Sequence, residues 1–290
     1  LSCEKLGRAK QHFDLCIMDE AGQCNIASSL IPIVRAERLL LVGDTNQLQP
    51  VTVIEESVHE KLKEKYNIKD EYNYIKNSIL STMLRKDNNS KNILLSYHYR
   101  CGKKIASFVN SRFYEEKLKL LNQNEGSLTY IKVENTAIPG ARNSYRSEAA
   151  EIVKIVVQNK FKNVGIITPF VNQAFLINDL LRKNGIEDVS AGTIHTLQGS
   201  EKDVIIMSSA ISLKTSKKTM EWVSNNHELI NVGVTRAKKS LIFVGDKVAI
   251  DMLSKEDPNN DIKSLSDYIY SNGEVVVSRC VDSIAQDFSN

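Results

Sequence analysis

The residues whose types best suit chemistry lie near the start of the chain. Cys16-Ile17-Met18-Asp19-Glu20-Ala21-Gly22-Gln23 sets two adjacent carboxylates directly after the apolar run Leu15–Met18. A buried strand there delivers Asp19 and Glu20 to its C-terminal end, where ligands bind in open α/β sheets. Two acids at such a point suit nucleotide hydrolysis. Asp19 would hold Mg2+ through its water shell, and Glu20 would orient or deprotonate the attacking water. Alone, the pair reads more readily as a polar turn closing a strand. A second segment, Gly43-Asp44-Thr45-Asn46-Gln47-Leu48-Gln49-Pro50, closes another apolar run, Leu39–Val42. Gln47 in that place suits a hydrogen bond to a γ-phosphate or to the catalytic water, and a plain loop glutamine is the other reading.

The elements that must position these residues read as buried parallel strands alternating with helices. Apolar runs recur at Leu15–Met18, Leu39–Val42, Val164–Ile167, Val204–Met207 and Leu241–Val244, without the alternation of a half-exposed strand. One helix is expected to start with Ser147 as N-cap, burying Ile152, Val153, Val156 and Val157. Another is expected from Val171 to Lys183, with Phe175, Leu176, Leu180 and Leu181 inward and Gly185 as stop signal. The pattern predicts an α/β fold with a parallel sheet. Leu40-Leu41-Val42-Gly43-Asp44 is echoed by Ile242-Phe243-Val244-Gly245-Asp246, either by coincidence or because two lobes repeat one architecture. The polar stretch Glu55–Asn92 places a boundary at its end. We expect a first lobe over 1–90, a second over 91–255, and a tail over 256–290 leading towards a further domain.

Length, at 290 residues with 42% hydrophobic content, suffices for one large or two medium cores. No apolar run reaches the roughly 18–20 residues of a membrane span, and the first ten residues hold Glu4, Lys5, Arg8 and Lys10 rather than a signal-peptide core. The net charge of +3 permits a nucleic-acid partner without indicating one. Cys3, Cys16, Cys24, Cys101 and Cys280 include no Cys-x-x-Cys pair, which speaks against a disulfide framework or zinc knuckle and fits a reducing cytoplasm.

Taken together, Asp-Glu-Ala-Gly-Gln and Gly-Asp-x-x-Gln-Leu-x-Pro resemble motifs II and III of the superfamily-1 helicases, which are AAA-type P-loop NTPases. Further blocks follow in order. Tyr97-His98-Tyr99-Arg100 resembles motif IV of the branch containing the nonsense-mediated-decay helicase, with His98 where Gln is usual. Thr168-Pro169-Phe170-Val171-Asn172-Gln173 resembles the motif after the linker strand. Gly192 to Glu201 resembles motif V, with His195 and Leu197 in place of Asp and Phe. Asn231-Val232-Gly233-Val234-Thr235-Arg236-Ala237-Lys238 resembles motif VI, with Gly233 for Ala. The resemblance implies a parallel-sheet P-loop NTPase (RecA-like) architecture: two lobes, the first incomplete and the second complete, ATP in the cleft and single-stranded DNA or RNA across the top. It implies a monomeric motor and, from its branch, 5′-to-3′ movement. Arg100 and Arg236 are then the cations that stabilise charge on the transferring phosphoryl group. Gln23, Gly43, Asp44, Gly199 and Glu201 contact the nucleotide, Glu201 at its ribose. Pro169, Gln173, Thr193, His195, Thr196 and Gln198 line the nucleic-acid channel, touching phosphates rather than reading bases.

One part of the engine is missing from the string. No Gly-x-x-x-x-Gly-Lys-Ser/Thr occurs, and the Gly102-Lys103 pair is preceded, five positions before Gly102, by Tyr97. That loop supplies the N–H cradle and the lysine for the β/γ-phosphates. In the family it precedes motif II, so the chain, which starts at Leu1, reads as a fragment expected to bind ATP poorly and hydrolyse almost none. Two other readings stay open: a nucleic-acid-binding or scaffold module, and an NTPase switch that does not unwind.

Overall fold

The computed structural model describes residues 12–52, 54–136, 140–196, 199–257 and 259–278. The chain divides into two units between Leu94 and Leu95.

In the first unit, β1 (Phe13–Met18) pairs in parallel with β2 (Ala36–Leu41), and α1 (Ile26–Ile33) connects them. The right elements form, but their surroundings differ from expectation. Phe13, Leu15, Ile17, Leu40 and Val42 are exposed, Ile17 to 61%. The expected burial of these strands needs a layer on each face. Among the described residues the core of this unit is small: Ala21, Ile79 and Leu80, with Met18, Ile33, Leu41 and Met83 packed around them. Two further helices, α2 (Glu56–Lys65) and α3 (Ile79–Lys86), complete the unit. Ser78 and Ser81 form a capping box at the start of α3, fixing the helix that covers the loop after β1.

The second unit begins with a short parallel pair, β3 (Tyr97–His98) and β4 (Lys119–Leu120), around α4 (Lys103–Phe113). Its main sheet has six parallel strands in the order β10-β5-β9-β8-β6-β7. They are β5 (Ser127–Lys132), β6 (Val164–Ile167), β7 (Ala191–Gly192), β8 (Lys202–Ser208), β9 (Ala237–Gly245) and β10 (Glu274–Val277). The connecting helices are α5 (Arg146–Asn159), α6 (Val171–Lys183), α7 (Lys217–Asn225), α8 (His227–Thr235), α9 (Lys247–Leu253) and α10 (Asp261–Asn272). Helices α5 and α6 pack Ile152, Val156, Ile177 and Leu181 against Ile166, Ile206 and Val244 of the strands. Covering both faces of a parallel sheet is what makes its strands read as continuous apolar runs.

Three local expectations change. Ser147 is not a cap: α5 starts at Arg146, and the Ser147 hydroxyl donates to Asn135 Oδ1 at 2.6 Å. Val157 and Phe175 face solvent. The inward stripe of α6 is Gln173, Ala174, Ile177, Leu180 and Leu181, a helical i, i+4, i+7, i+8 set that begins at a polar residue. The second lobe, expected to end at 255, continues through α10 and β10, which extends the sheet edge beside β5.

Asp261, fully buried at the start of α10, explains that continuation. Its carboxylate accepts from Arg112 Nε at 2.6 Å and pairs with His227 Nδ1. Arg112 lies in the last turn of α4 and His227 begins α8, so one carboxylate ties three helices. Asp261→Ala is expected to cost about 2–3 kcal/mol, because it strips charge-assisted bonds from a buried site. Limited trypsin digestion should then cut α10 at Lys263 well before the rest of the unit. Digestion at the wild-type rate would show that α10 is held by its apolar face alone.

Candidate functional site

Site residues in the first unit gather at the C-terminal ends of β1 and β2. The chain leaves β1 and turns sharply, with Glu20 at φ 51° in the left-handed region. The Glu20 N–H donates to Asp19 Oδ1 at 2.9 Å, and Gln23 Nε2 donates to Glu20 Oε2 at 3.0 Å. Both carboxylates are exposed. The loop after β2 folds against this turn. Ala21 N–H donates to Val42 O at 2.8 Å. A Cβ on Gly22 would stand 2.6 Å from the Asp44 carbonyl oxygen, and one on Gly43 would stand 2.9 Å from the Gly22 nitrogen. Both glycines are therefore required by close backbone approach. Asp44 accepts from Asn46 N–H at 2.9 Å and from Gln47 Nε2 at 3.0 Å, so its carboxylate shapes the loop and aims Gln47. The fold thus brings Asp19, Glu20, Gln23, Gly43, Asp44 and Gln47 together.

Candidates in the second unit fall at two opposite ends of its sheet. Glu201 directly precedes β8 and Arg236 directly precedes β9. Backbone bonds stitch this end: Lys202 N–H to Arg236 O at 3.0 Å, and Gly102 N–H to Lys238 O at 2.9 Å. Side chains converge on Glu201. Arg100 Nε lies 2.5 Å from Oε1 and Lys238 Nζ 3.0 Å from Oε2. The Lys238 hydrogen bond, with the charges of Arg100 and Arg236, holds the Glu201 carboxyl below the usual carboxylate range. Arg236 is 8% exposed and anchored by Nε to Val232 O at 3.3 Å. Gly199 has φ +77° with open space around it, so its glycine answers a turn rather than a close contact.

Sequence reasoning gave no role to Lys238 or Cys101. The signal for Lys238 was available, since residues 236 and 238 straddling a strand start share one side. Cys101 is buried, its thiol pushed up to about 12 by burial, and its Sγ lies 3.5 Å from Thr235 O. It is a packed thiol and not a nucleophile. His98, where the resemblance has Gln, accepts the Cys101 N–H at Nε2 (3.1 Å). Burial and the nearby Arg100 lower its pKa, which keeps that nitrogen an acceptor.

The other end of the sheet, about 20 Å away along seven-residue β8, carries the candidates for nucleic acid. Thr193 follows β7, and its carbonyl accepts from Thr196 N–H and Oγ1 at 3.0 and 2.7 Å. His195 and Thr196 are exposed, and His195 lies within electrostatic reach of Glu228 on α8. Gln198 lies outside the described residues. Pro169 and Gln173 depart from expectation, because both are buried. Gln173 Oε1 accepts from Tyr145 N–H at 2.7 Å, and Nε2 donates to Ser208 Oγ at 3.0 Å. Its amide is engaged inside the protein, where it holds neighbouring loops rather than reaching a ligand. Thr193 thus stands at this end of the sheet and Glu201 at the other.

Among the described residues no three His, Cys, Asp or Glu side chains converge as a metal-ligand set. An exposed carboxylate such as Asp19 suits a cation that keeps most of its own waters. No helix among them is long and apolar enough to cross a membrane.

Two family models, each described as an AAA domain, match residues 2–56 and 132–248, together more than half of the chain. The chain is 28% identical over 248 residues to the DNA replication ATP-dependent helicase/nuclease DNA2 of Gallus gallus, covering 81% of this chain and 23% of that protein. It is 29% identical to an uncharacterized ATP-dependent helicase of Methanocaldococcus jannaschii (81% and 36% covered). It is 26% identical to the DNA polymerase alpha-associated DNA helicase A of Schizosaccharomyces pombe (84% and 39% covered). The chain thus spans well under half the length of these relatives.

Proposed function

Since the chain belongs to the superfamily-1 helicases, we propose that it is the C-terminal part of an ATP-driven motor that moves on single-stranded DNA or RNA. The observation that carries this reading is the convergence of Arg100, Lys238 and Arg236 on Glu201. Three cations around one carboxylate make a site that a nucleotide can enter by taking over the arginines as phosphate ligands. In this reading Glu20 takes the proton of the attacking water and Gln47, aimed by Asp44, positions that water. Gln23, Gly43 and Asp44 border the nucleotide, and Glu201 turns to its ribose. Bound at Asp19 through water, Mg2+ would supply positive charge to the phosphates. Thr193, His195 and Thr196 contact the nucleic-acid backbone. Thr193 and Glu201, close in sequence, stand at the two functional ends of one sheet.

A second reading is favoured, for these 290 residues alone, by the lack of a Gly-x-x-x-x-Gly-Lys-Ser/Thr string. Without that cradle the chain binds nucleic acid but turns over almost no ATP. One set of assays separates the readings: ATPase with and without single strands, and strand displacement on DNA and RNA duplexes, using the full-length protein beside the 290-residue chain. The motor reading expects stimulated ATPase and displacement from the full-length protein alone. ATPase without displacement would leave an NTPase switch, and neither activity would leave a binding module.

A further inference from the structure

We propose that Trp222 is a base-stacking step for single-stranded nucleic acid at the C-terminal end of the second unit's sheet. The proposal rests on the motor reading and adds a residue to it.

Helix α7 buries Met220 and Val223, at 5% and 0% exposure, but leaves Trp222 45% exposed. The indole is not loose. It lies against Phe170, with ring centroids 5.8 Å apart and planes at 40°, and Phe170 is itself buried. Trp222 therefore rests on a fixed ring while the rest of it meets water, an arrangement already ordered for a planar ligand. Phe170 places this pair beside the functional end of the sheet, directly after Thr168 and Pro169 at the end of β6.

Charge around the pair selects the partner. Loops 140–146 and 212–218 meet through the Tyr145 hydroxyl, which lies 3.2 Å from Thr215 Oγ1 and accepts from Ser212 Oγ at 3.0 Å. Asn172 Nδ2, at the start of α6, donates to Arg142 O at 3.1 Å, so both loops border the start of α6. They carry Arg142, Arg146, Lys214, Lys217 and Lys218, all exposed, and no carboxylate. Nearby acids are Glu221 on α7 and Glu256, which pairs with Lys217 at 3.0 Å. An apolar peptide would have no use for this excess of cations, and a duplex keeps its base faces stacked. Single strands match both features: bases for the aromatic step and phosphates for the lysines and arginines.

Trp222 is the only tryptophan in the chain, so it reports on its own role. The 290-residue chain is titrated with fluorescein-labelled oligo-dT and oligo-rU while anisotropy follows binding, and with unlabelled oligomers while tryptophan emission is read. We expect emission to be quenched in step with binding. Trp222→Ala should weaken binding of both oligomers roughly 5- to 150-fold, the range of one lost base–aromatic stack. Trp222→Phe should keep most of the affinity, and neither variant should shift the melting curve much, since the side chain is half exposed. Wild-type binding with unchanged emission, or equal affinity in Trp222→Ala, would overturn the stacking step and leave the motor reading intact. Failure of the wild-type chain to bind either oligomer would also overturn the stacking step, whereas the motor reading falls only if the full-length protein shows neither stimulated ATPase nor displacement.

Discussion

Replacing Arg236 by Ala in the full-length protein is expected to lower nucleic-acid-stimulated ATP turnover by about 10³-fold or more, the range seen for a lost phosphoryl-stabilising arginine. The guanidinium sits directly before β9, anchored by Nε to Val232 O, so its reach is set by helix and strand rather than by a free side chain. A preorganised cation of this kind stabilises charge as it develops on the transferring group and needs no reorganisation. Arg236→Lys should rescue little, because an ammonium cannot keep the Nε anchor and still grip two phosphate oxygens. Arg236 is buried, so loss of activity must be separated from loss of fold. Oligonucleotide binding and circular dichroism should survive in the variant. Glu20→Gln offers the contrast: its exposed carboxylate carries no packing, and the variant should hold nucleotide yet fail to hydrolyse it. Full turnover in Arg236→Ala would remove this residue from the chemistry, and Arg100 would be the remaining candidate.

Both clusters were legible because they lie at strand ends. Asp19, Glu20, Gln47 and Arg236 each follow or precede an apolar run by a residue or a few, and a parallel sheet gathers such positions at its two ends. The Gly-Asp echo was legible for the same reason. Yet Asp44 orients Gln47 while Asp246 caps α9 through Ala249 N–H at 3.0 Å; one motif serves two duties that only the contacts distinguish. What could not be read was where polar residues go inside. Gln173 was given a ligand role by the resemblance alone, and the expected inward set of α6 left it out, yet the helix buries it and its amide bonds Tyr145 and Ser208. Ser147 looked like a cap because type and position matched, but Asn135, 12 residues earlier and outside the helix, claimed its hydroxyl. Strand β5 was missed because Thr129 and Lys132 interrupt its apolar pattern, although Tyr130 and Ile131 are buried. The exposure of β1 and β2 is a matter of what covers a sheet, which a strand's own residues do not record.

Glu148 is the most consequential residue that the sequence hid. It is fully buried on α5 and accepts from Asn135 Nδ2 at 2.6 Å, Ser208 Oγ at 2.5 Å, Ser209 Oγ at 2.7 Å and Ala210 N–H at 2.9 and 3.1 Å. Those donors come from the chain after β5 and from the end of β8, so one carboxylate clamps the sheet end that carries the nucleic-acid candidates. Glu148→Leu is expected to destabilise the second unit by about 3–5 kcal/mol, because several buried donors lose their acceptor at once. At roughly 2–4 °C per kcal/mol for a unit of this size, its melting transition should fall by about 10 °C. Burial raises the Glu148 pKa despite the four groups that donate to it, and this fixes the sign of a pH effect. A carboxyl with a raised native pKa contributes stability that is fully present below the unfolded value near 4.3 and lost as pH rises through the native value. Wild-type stability should therefore decline over that interval, and Glu148→Gln, which cannot ionise, should lack this part of the slope. A Glu148→Leu protein melting within about 2 °C of wild type would show that the clamp is dispensable and that the apolar contacts of α5 hold the sheet end by themselves.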